Sequence, residues 1–496
     1  MKPRLTPTQG NASLTILAAT VLCLLGACST TTQQHPTIAY GQIRLPAQYT
    51  QTETNSAIRQ MQVAGEQETE KPTGLAQFGD PTLDALIALA LENNQDLLIA
   101  KARVEQTKAA QTKTELNTLP TLDIGTSAMR ERASLNSPQI RTQAKQPGFP
   151  RSTTTYRADA TFNWELDLFG RKDALVSAGQ ARALAAEFYE QDIRLTVIAD
   201  VAKNVITART LQARIKLAEE SAATESEIVA ITRAKLLGGQ ISGADLLRTI
   251  ALEQDSQAAA ARLQHDYGEV IKSLANLLAE TPDYVRLKMA SKPEPNSYTG
   301  AMPTVAATGL PSDLLKRRPD IKRAEFQLAA ASKDLSASTA ERFPIVNLGS
   351  TLALVAGTLA KLSSVDSLVA SFAPSVTWRA LDFGRLDTDI ALAKGIEKEA
   401  LIHYKKTVAS AFAEADTALD DVVRRQAILQ FTSAAATSQR EAWEVVQLQY
   451  KRGIIDLTTA LDTKRALYRS QESSALALQE QWLATVTVYR ALGGAW

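Results

Sequence analysis

Cys28 is the residue whose chemistry its neighbours most directly prescribe. Lys2 and Arg4 open the chain, an apolar run fills residues 14–25, and Leu25-Gly26-Ala27-Cys28 closes it. A basic start, an apolar stretch and small residues before a cut form the pattern of a secretory signal. With cysteine next in line, the pattern is that of a bacterial lipoprotein signal. Cleavage is expected to remove residues 1–27 and leave Cys28 as an acylated amino terminus, and this covalent lipid is the single attached group expected. Cys23 departs with the signal, so the mature chain cannot form an internal disulfide. Ser29 follows, where aspartate marks inner-membrane retention, and this favours outer-membrane lipid as the destination.

The remaining residues argue against catalysis. His35, His265 and His403 are the only histidines, and they lie far apart. No glycine-rich phosphate loop, zinc-ligand spacing or nucleophile elbow occurs. The chain therefore reads as no enzyme, with no cofactor and no metal. Lys and Arg number 54 against 53 Asp and Glu, a net charge of +1, so nothing points to nucleic acid.

The elements around these residues come in duplicate. Trp164-Glu165-Leu166-Asp167-Leu168-Phe169-Gly170-Arg171 returns as Trp378-Arg379-Ala380-Leu381-Asp382-Phe383-Gly384-Arg385, an offset of 378 − 164 = 214. Residues 96–120 match 320–344 at an offset of 224. The difference, 224 − 214 = 10 residues, falls where a surface loop should accept insertion. Duplicated helical units usually stack on one another. The division expected is residues 1–27, signal; 28–74, a lipidated extended segment; 75–281, a first repeat; 282–309, a linker; and 310–496, a second repeat.

Each repeat reads as helix, β-hairpin, very long helix, tip turn, helix. Helical periodicity starts near Thr82 as N-cap and runs to about Asn117. Strands are expected at residues 121–129 and 345–355. Tyr156, Ala158, Ala160, Phe162, Trp164 and Leu166 then alternate with polar residues, as transmembrane barrel strands do. Their counterparts Phe372, Pro374, Val376, Trp378 and Ala380 carry the weaker copy. A soluble half-buried sheet would show the same alternation. Residues 171–236 and 385–451 keep helical periodicity for a length of about 100 Å at about 1.5 Å per residue. Leu195, Ile198, Ala202 and Val205 form one apolar stripe, and Val197, Val201, Val205 and Ala208 a second, so such a helix can pack against two neighbours. Glycine turns at Gly238-Gly239-Gln240 and Gly453-Ile454-Ile455 end the long helices, and Ser242 and Asp456 cap the next ones. Four strands cannot close a membrane barrel, and an open edge is not tolerated in hydrocarbon. If they cross a membrane, several copies must pool them around an axis.

Taken with Leu310-Pro311-Ser312-Asp313-Leu314-Leu315-Lys316-Arg317-Arg318-Pro319-Asp320-Ile321 and the terminal Tyr489-Arg490-Ala491-Leu492-Gly493-Gly494-Ala495-Trp496, these features resemble the TolC-like outer-membrane efflux proteins, lipoprotein branch. The resemblance covers roughly residues 75–496. Leu75-Ala76-Gln77 stands where members often carry Trp, and Ala495 where a third Gly is usual.

The resemblance implies a mostly α protein with membrane β. It would be a homotrimer whose four strands per chain make a twelve-stranded outer-membrane β-barrel, continued by a periplasmic α-helical barrel. It implies a passive exit duct for small toxic compounds, partnered by a periplasmic adaptor and an inner-membrane RND-type pump. A type I protein-export duct and a pore-less lipoprotein scaffold are the alternatives. It also implies site residues. Asp462 matches the pore constriction, Asp245 lies in the equivalent region of the first repeat, and Thr459 replaces an acid that some members carry. Tyr450 and Arg248 are candidates for bonds that latch the tip, and Ile455 replaces a latch arginine. The turns at Gly239, Gln240, Gly453 and Ile454 are the expected adaptor contacts. Phe169, Gly170, Arg171, Phe383, Gly384 and Arg385 mark the strand-to-helix junctions.

Overall fold

In a computed structural model, residues 80–290 and 314–494 are described. Cys28, the signal, the extended segment, most of the linker and the start of the Leu310 signature lie outside them. The elements are α1 (Pro81–Asn93), α2 (Gln95–Leu116), β1 (Thr121–Arg132), α3 (Pro138–Gln143), β2 (Ser152–Leu166), α4 (Arg171–Leu237), α5 (Gly243–Leu278) and α6 (Pro282–Met289). After the linker come α7 (Leu314–Arg317), α8 (Pro319–Ala340), β3 (Ile345–Ala356), β4 (Leu368–Thr377), α9 (Arg385–Lys451) and α10 (Leu457–Ala491).

The two offsets carry one half onto the other. Adding 224 to the bounds of α2 and β1 gives those of α8 and β3, and adding 214 to those of α4 gives those of α9. The insertion sits in the hairpin connection, where β1 and β2 are joined through α3 and β3 and β4 by two short 3-10 turns.

Both long helices hold 67 residues without a break. Both stripes of α4 are buried, and in α9 Ala415, Leu419 and Val422 are too, with Phe412 half-buried. The main core gathers Leu83, Leu86 and Ala90 of α1, Val201, Val205 and Ile206 of α4, Leu274 and Leu278 of α5, Val285 and Met289 of α6, and Trp482 and Val486 of α10. Each such leucine or valine contributes about 1.5–3 kcal/mol when fully buried. In the helical layer α2 lies on α4, α8 packs between α4 and α9, and α10 packs on both long helices.

The strands form one antiparallel sheet in the order β1-β2-β3-β4. Its register puts Leu122 opposite Phe162, Trp164 opposite Leu348 and Val346 opposite Val376, so one face is apolar across all four strands. Ile124 is 81% and Phe372 71% exposed on that face. No helix among the described residues is long and apolar enough to cross a membrane.

Four sequence expectations need correction. The first helix is capped by Asp80, not Thr82: the Thr82 N–H donates to Asp80 Oδ1 at 2.9 Å, with Pro81 in the first turn. The helix does not run unbroken to Asn117. Asn94 leaves helical geometry at ψ 125°, because its side chain accepts from the Leu97 N–H at 3.1 Å and donates to the Leu277 carbonyl at 2.9 Å. Residues 282–289, read as linker, form α6, capped by Thr281 and anchored by buried Val285 and Met289. The last strand ends at Thr377 rather than Ala380.

Candidate functional site

The strand-to-helix junctions are built alike. The Trp164 Nε1–H donates to the Thr118 carbonyl and the Trp378 Nε1–H to the Arg342 carbonyl, both at 3.1 Å, so each indole ties a strand end to the preceding helix end. Gly170 and Gly384 take φ of 74° and 85°, the left-handed conformation that glycine adopts without strain. Each long helix then starts on an aspartate. Asp167 Oδ2 accepts from the Asp173 N–H, and Asp382 Oδ2 from the Leu386 N–H, both at 2.8 Å. These aspartates differ by one position within the repeat. Backbone donation from Leu386, then from Gly384, holds the Asp382 carboxyl below its ordinary range. Arg171 donates to Glu165 at 2.6 Å. Phe169 stacks on Phe343 with centroids 4.7 Å apart, whereas Phe383, at φ 56°, is 84% exposed.

The opposite ends of the long helices carry the expected pore residues. Gly239 and Gly453 turn the chain at φ 71° and 74°. Ser242 and Asp245 form a reciprocal capping box: the Asp245 N–H donates to Ser242 Oγ, and the Ser242 N–H to Asp245 Oδ2 at 3.1 Å. Asp245 thus already closes its own helix start. Asp456 plays the same part in α10, accepting from the Thr459 N–H at 2.7 Å. Asp462 is 63% exposed, with Arg465 one turn away at 3.7 Å. Adding 214 to Arg248 gives Asp462, so the two repeats present opposite charges at one equivalent position. Arg248 is exposed.

Tyr450 and Arg248 do not meet within the chain. Tyr450 is buried, Lys235 Nζ sits 4.6 Å from its ring centroid, and its hydroxyl makes no hydrogen bond. Lys235 and Tyr450 join the ends of α4 and α9, a contact not foreseen in the sequence. A second unforeseen group lies deeper. Glu225 of α4 is 8% exposed and faces Ser256 and Asp255 of α5 and Lys464 and Arg465 of α10. Burial pushes its carboxyl up and the Lys464 ammonium down. Lys464 also covers the Trp443 ring at 5.2 Å.

The Leu310 signature and the terminal glycines meet. Arg318 donates to the Ala491 carbonyl at 2.7 Å, to Asp320 Oδ2 at 2.8 Å and to Glu414 Oε2 at 2.7 Å. Burial alone would lower the affinity of this guanidinium for its proton; Asp320 and Glu414 more than offset that and hold it charged. Gly493, at φ 86°, lies so close to the Arg317 backbone that a Cβ there would come within 3.0 Å of its carbonyl carbon and oxygen. The signature is a clamp that fastens the start of α8 to the end of α10.

A four-stranded sheet with one apolar face, joined to two 67-residue helices, is the framework of a membrane duct. Residues 86–280 and 310–494 match the family model for outer membrane efflux proteins, and the chain belongs to that family. The solvent efflux pump outer membrane protein SrpC of Pseudomonas putida is 29% identical over 428 residues, covering 86% of this chain and 88% of that one. The pyoverdine export outer membrane protein OpmQ of Pseudomonas putida is 27% identical over 419 residues, covering 84% and 87%. Among solved structures, the outer-membrane channel OprN superposes with a TM-score of 0.79 at 27% identity, covering 92% of this chain and 98% of that one. The chain is therefore an outer-membrane efflux channel with the TolC-like fold, and it is not an enzyme.

Proposed function

We propose that the protein is the exit duct of a tripartite pump, acting as a homotrimer, with a periplasmic adaptor and an inner-membrane RND-type pump as partners. The observation that carries this reading is the sheet: four strands with an apolar outer face and two open edges, β1 and β4. Open edges are intolerable in hydrocarbon. Three copies pool twelve strands, a closed number for such barrels. The cargo is a small toxic compound; the relatives' names give solvent efflux and pyoverdine export as their own tasks. The adaptor docks on the tip turns at Gly239, Gln240, Gly453 and Ile454. Asp462 supplies one carboxylate per copy to a ring at the narrowest point, and such rings attract cations. Asp245, bonded into its capping box, is the weaker contributor. Tyr450 and Arg248 act as latch residues at the helical ends. Cys28 carries the lipid that fixes the amino terminus to the outer membrane.

The test is electrical. The purified protein inserted in planar bilayers conducts with a preference for cations, and Asp462→Ala lowers that preference. A wild-type protein that leaves the bilayer silent overturns the duct. A variant with unchanged conductance and selectivity removes Asp462 from the constriction.

A further inference from the structure

The apolar face of the sheet carries two charges, and they sit together. On β1 this face holds Leu122, Ile124 and Ala128, and the same alternation places Arg130 and Arg132 on it. Arg130 stands opposite Thr154 and Arg132 opposite Ser152. Every other position of the face, on all four strands, is uncharged. Glu131, the one acid in residues 124–158, lies between the two arginines and on the opposite face. Both arginines are exposed, and neither forms an ion pair among the described residues.

Their place along the strand is equally distinct. Pairing of β2 with β3 begins at Tyr156, so residues 129–132 and 152–155 form a hairpin end that stands clear of the other two strands. Tyr156, opposite Ala128, and Trp164 bound the apolar band, as aromatic residues bound the belt of a membrane barrel. Arg130 and Arg132 follow Ala128 by two and four residues, about 7 and 14 Å along the strand, on the side away from the long helices.

We propose that Arg130 and Arg132 bind the phosphate of an anionic lipid headgroup in the outer leaflet, one site per copy. This rests on the exit-duct reading above, which turns the strand connections to the outside. A guanidinium is a planar fork that matches phosphate oxygens bidentately. Its stem lies along an apolar wall while its head reaches the headgroup layer. Two such forks, on stems about 7 Å apart, can close on one phosphate. A carboxylate on the same face would compete for them, and none occurs there. A neighbouring copy brings the same acid-free strand face. That face meets lipid rather than the lumen, which favours a headgroup over a free anion.

The surrounding charge is of the right sign. Residues 130–151 hold five cations, Arg130, Arg132, Arg141, Lys145 and Arg151, against the single acid Glu131. The connection at residues 357–367 holds only Lys361 and Asp366, which cancel. At the repeat offset of 224, Arg130 and Arg132 become Leu354 and Ala356, so the site belongs to the first hairpin alone.

The experiment counts lipid retained by the full-length protein in native mass spectrometry, with diphosphorylated lipid A as the probe. The parent should hold up to one molecule per copy. Arg130→Gln and Arg132→Gln should each weaken retention about tenfold, the effect of losing a hydrogen bond to a charged group. Arg130→Lys should restore part of it. Lys145→Gln and Glu131→Gln alter the charge of the same segment off this face and should leave retention unchanged. Lipid A stripped of its phosphates should not distinguish the parent from the arginine variants. The site is overturned if the stripped lipid binds as tightly as the phosphorylated one, or if Lys145→Gln costs as much as Arg130→Gln. It is also overturned if inorganic phosphate is retained at the arginines and the lipid is not. Conductance in planar bilayers, read on the same preparations, separates this from the duct. A conducting protein whose lipid retention ignores both arginines loses the headgroup site and keeps the duct. A silent parent overturns the duct, and the site falls with it.

Discussion

Replacing Arg209 by Met should loosen the packing of α1 and α6 on the middle of α4. The side chains of Arg209 and Asp80 are 6% and 0% exposed. The guanidinium reaches Asp80 Oδ2 at 3.4 Å, the Thr82 hydroxyl at 3.2 Å, the Met289 carbonyl at 3.0 Å and Gln212 Oε1 at 3.3 Å. It thus fastens the start of α1 to the end of α6 across α4. A buried pair repays roughly its own desolvation, so the intact pair contributes little net stability. Losing one member leaves a buried charge without its partner and costs about 3–5 kcal/mol. Methionine fills most of the vacated stem, so the cavity contribution is small. Adding Asp80→Asn removes the stranded charge and keeps an N-cap side chain, since asparagine caps as well as aspartate. The double variant should lose only the neutral hydrogen bonds, about 0.5–1.5 kcal/mol each. Denaturant unfolding in detergent, followed by circular dichroism, measures both variants. Hydrogen exchange should speed up in residues 81–93 and 282–289. A single variant within about 1 kcal/mol of the parent, or a double variant as unstable as the single, refutes the charge argument.

Gly493→Ala should weaken the clamp between α8 and α10. Left-handed geometry costs a residue with a Cβ about 1–2 kcal/mol, and the contact with the Arg317 backbone adds to that; an unchanged denaturation midpoint would refute it. Burial raises the folded-state pKa of Glu225, so its folding penalty is absent below the ordinary glutamate pKa and grows as pH rises through the folded value. Glu225→Gln should flatten the fall in stability across that window, and parallel pH profiles for parent and variant would rule this out.

The repeat was the most legible part of the sequence, because a shared offset needs no knowledge of contacts. The two Phe-Gly-Arg phrases located the junctions, and the glycine turns and caps Ser242 and Asp456 located the tips. What escaped depends on distant partners. Asn94 breaks a helix by bonding to Leu277, 183 residues away. Asp80 outcompetes Thr82 as a cap, and it also lies in a buried ion pair with Arg209 of α4. The contact of Lys235 with Tyr450 joins the two long helices and leaves no local periodicity. One signal was present and unread: Arg248 plus 214 is Asp462.

The hairpin insertion makes the two halves differ in length at the end that carries the strand connections. Residues 133–151 connect β1 to β2, with a helical turn inside, while 357–367 connect β3 to β4. In a ring of three such chains the backbone of the helices follows a sixfold pattern, whereas the rim repeats only every third of a revolution, longer connections alternating with shorter ones. Whatever approaches from outside therefore meets a crown of three, and changes in those longer connections alter the outward face without disturbing the column beneath.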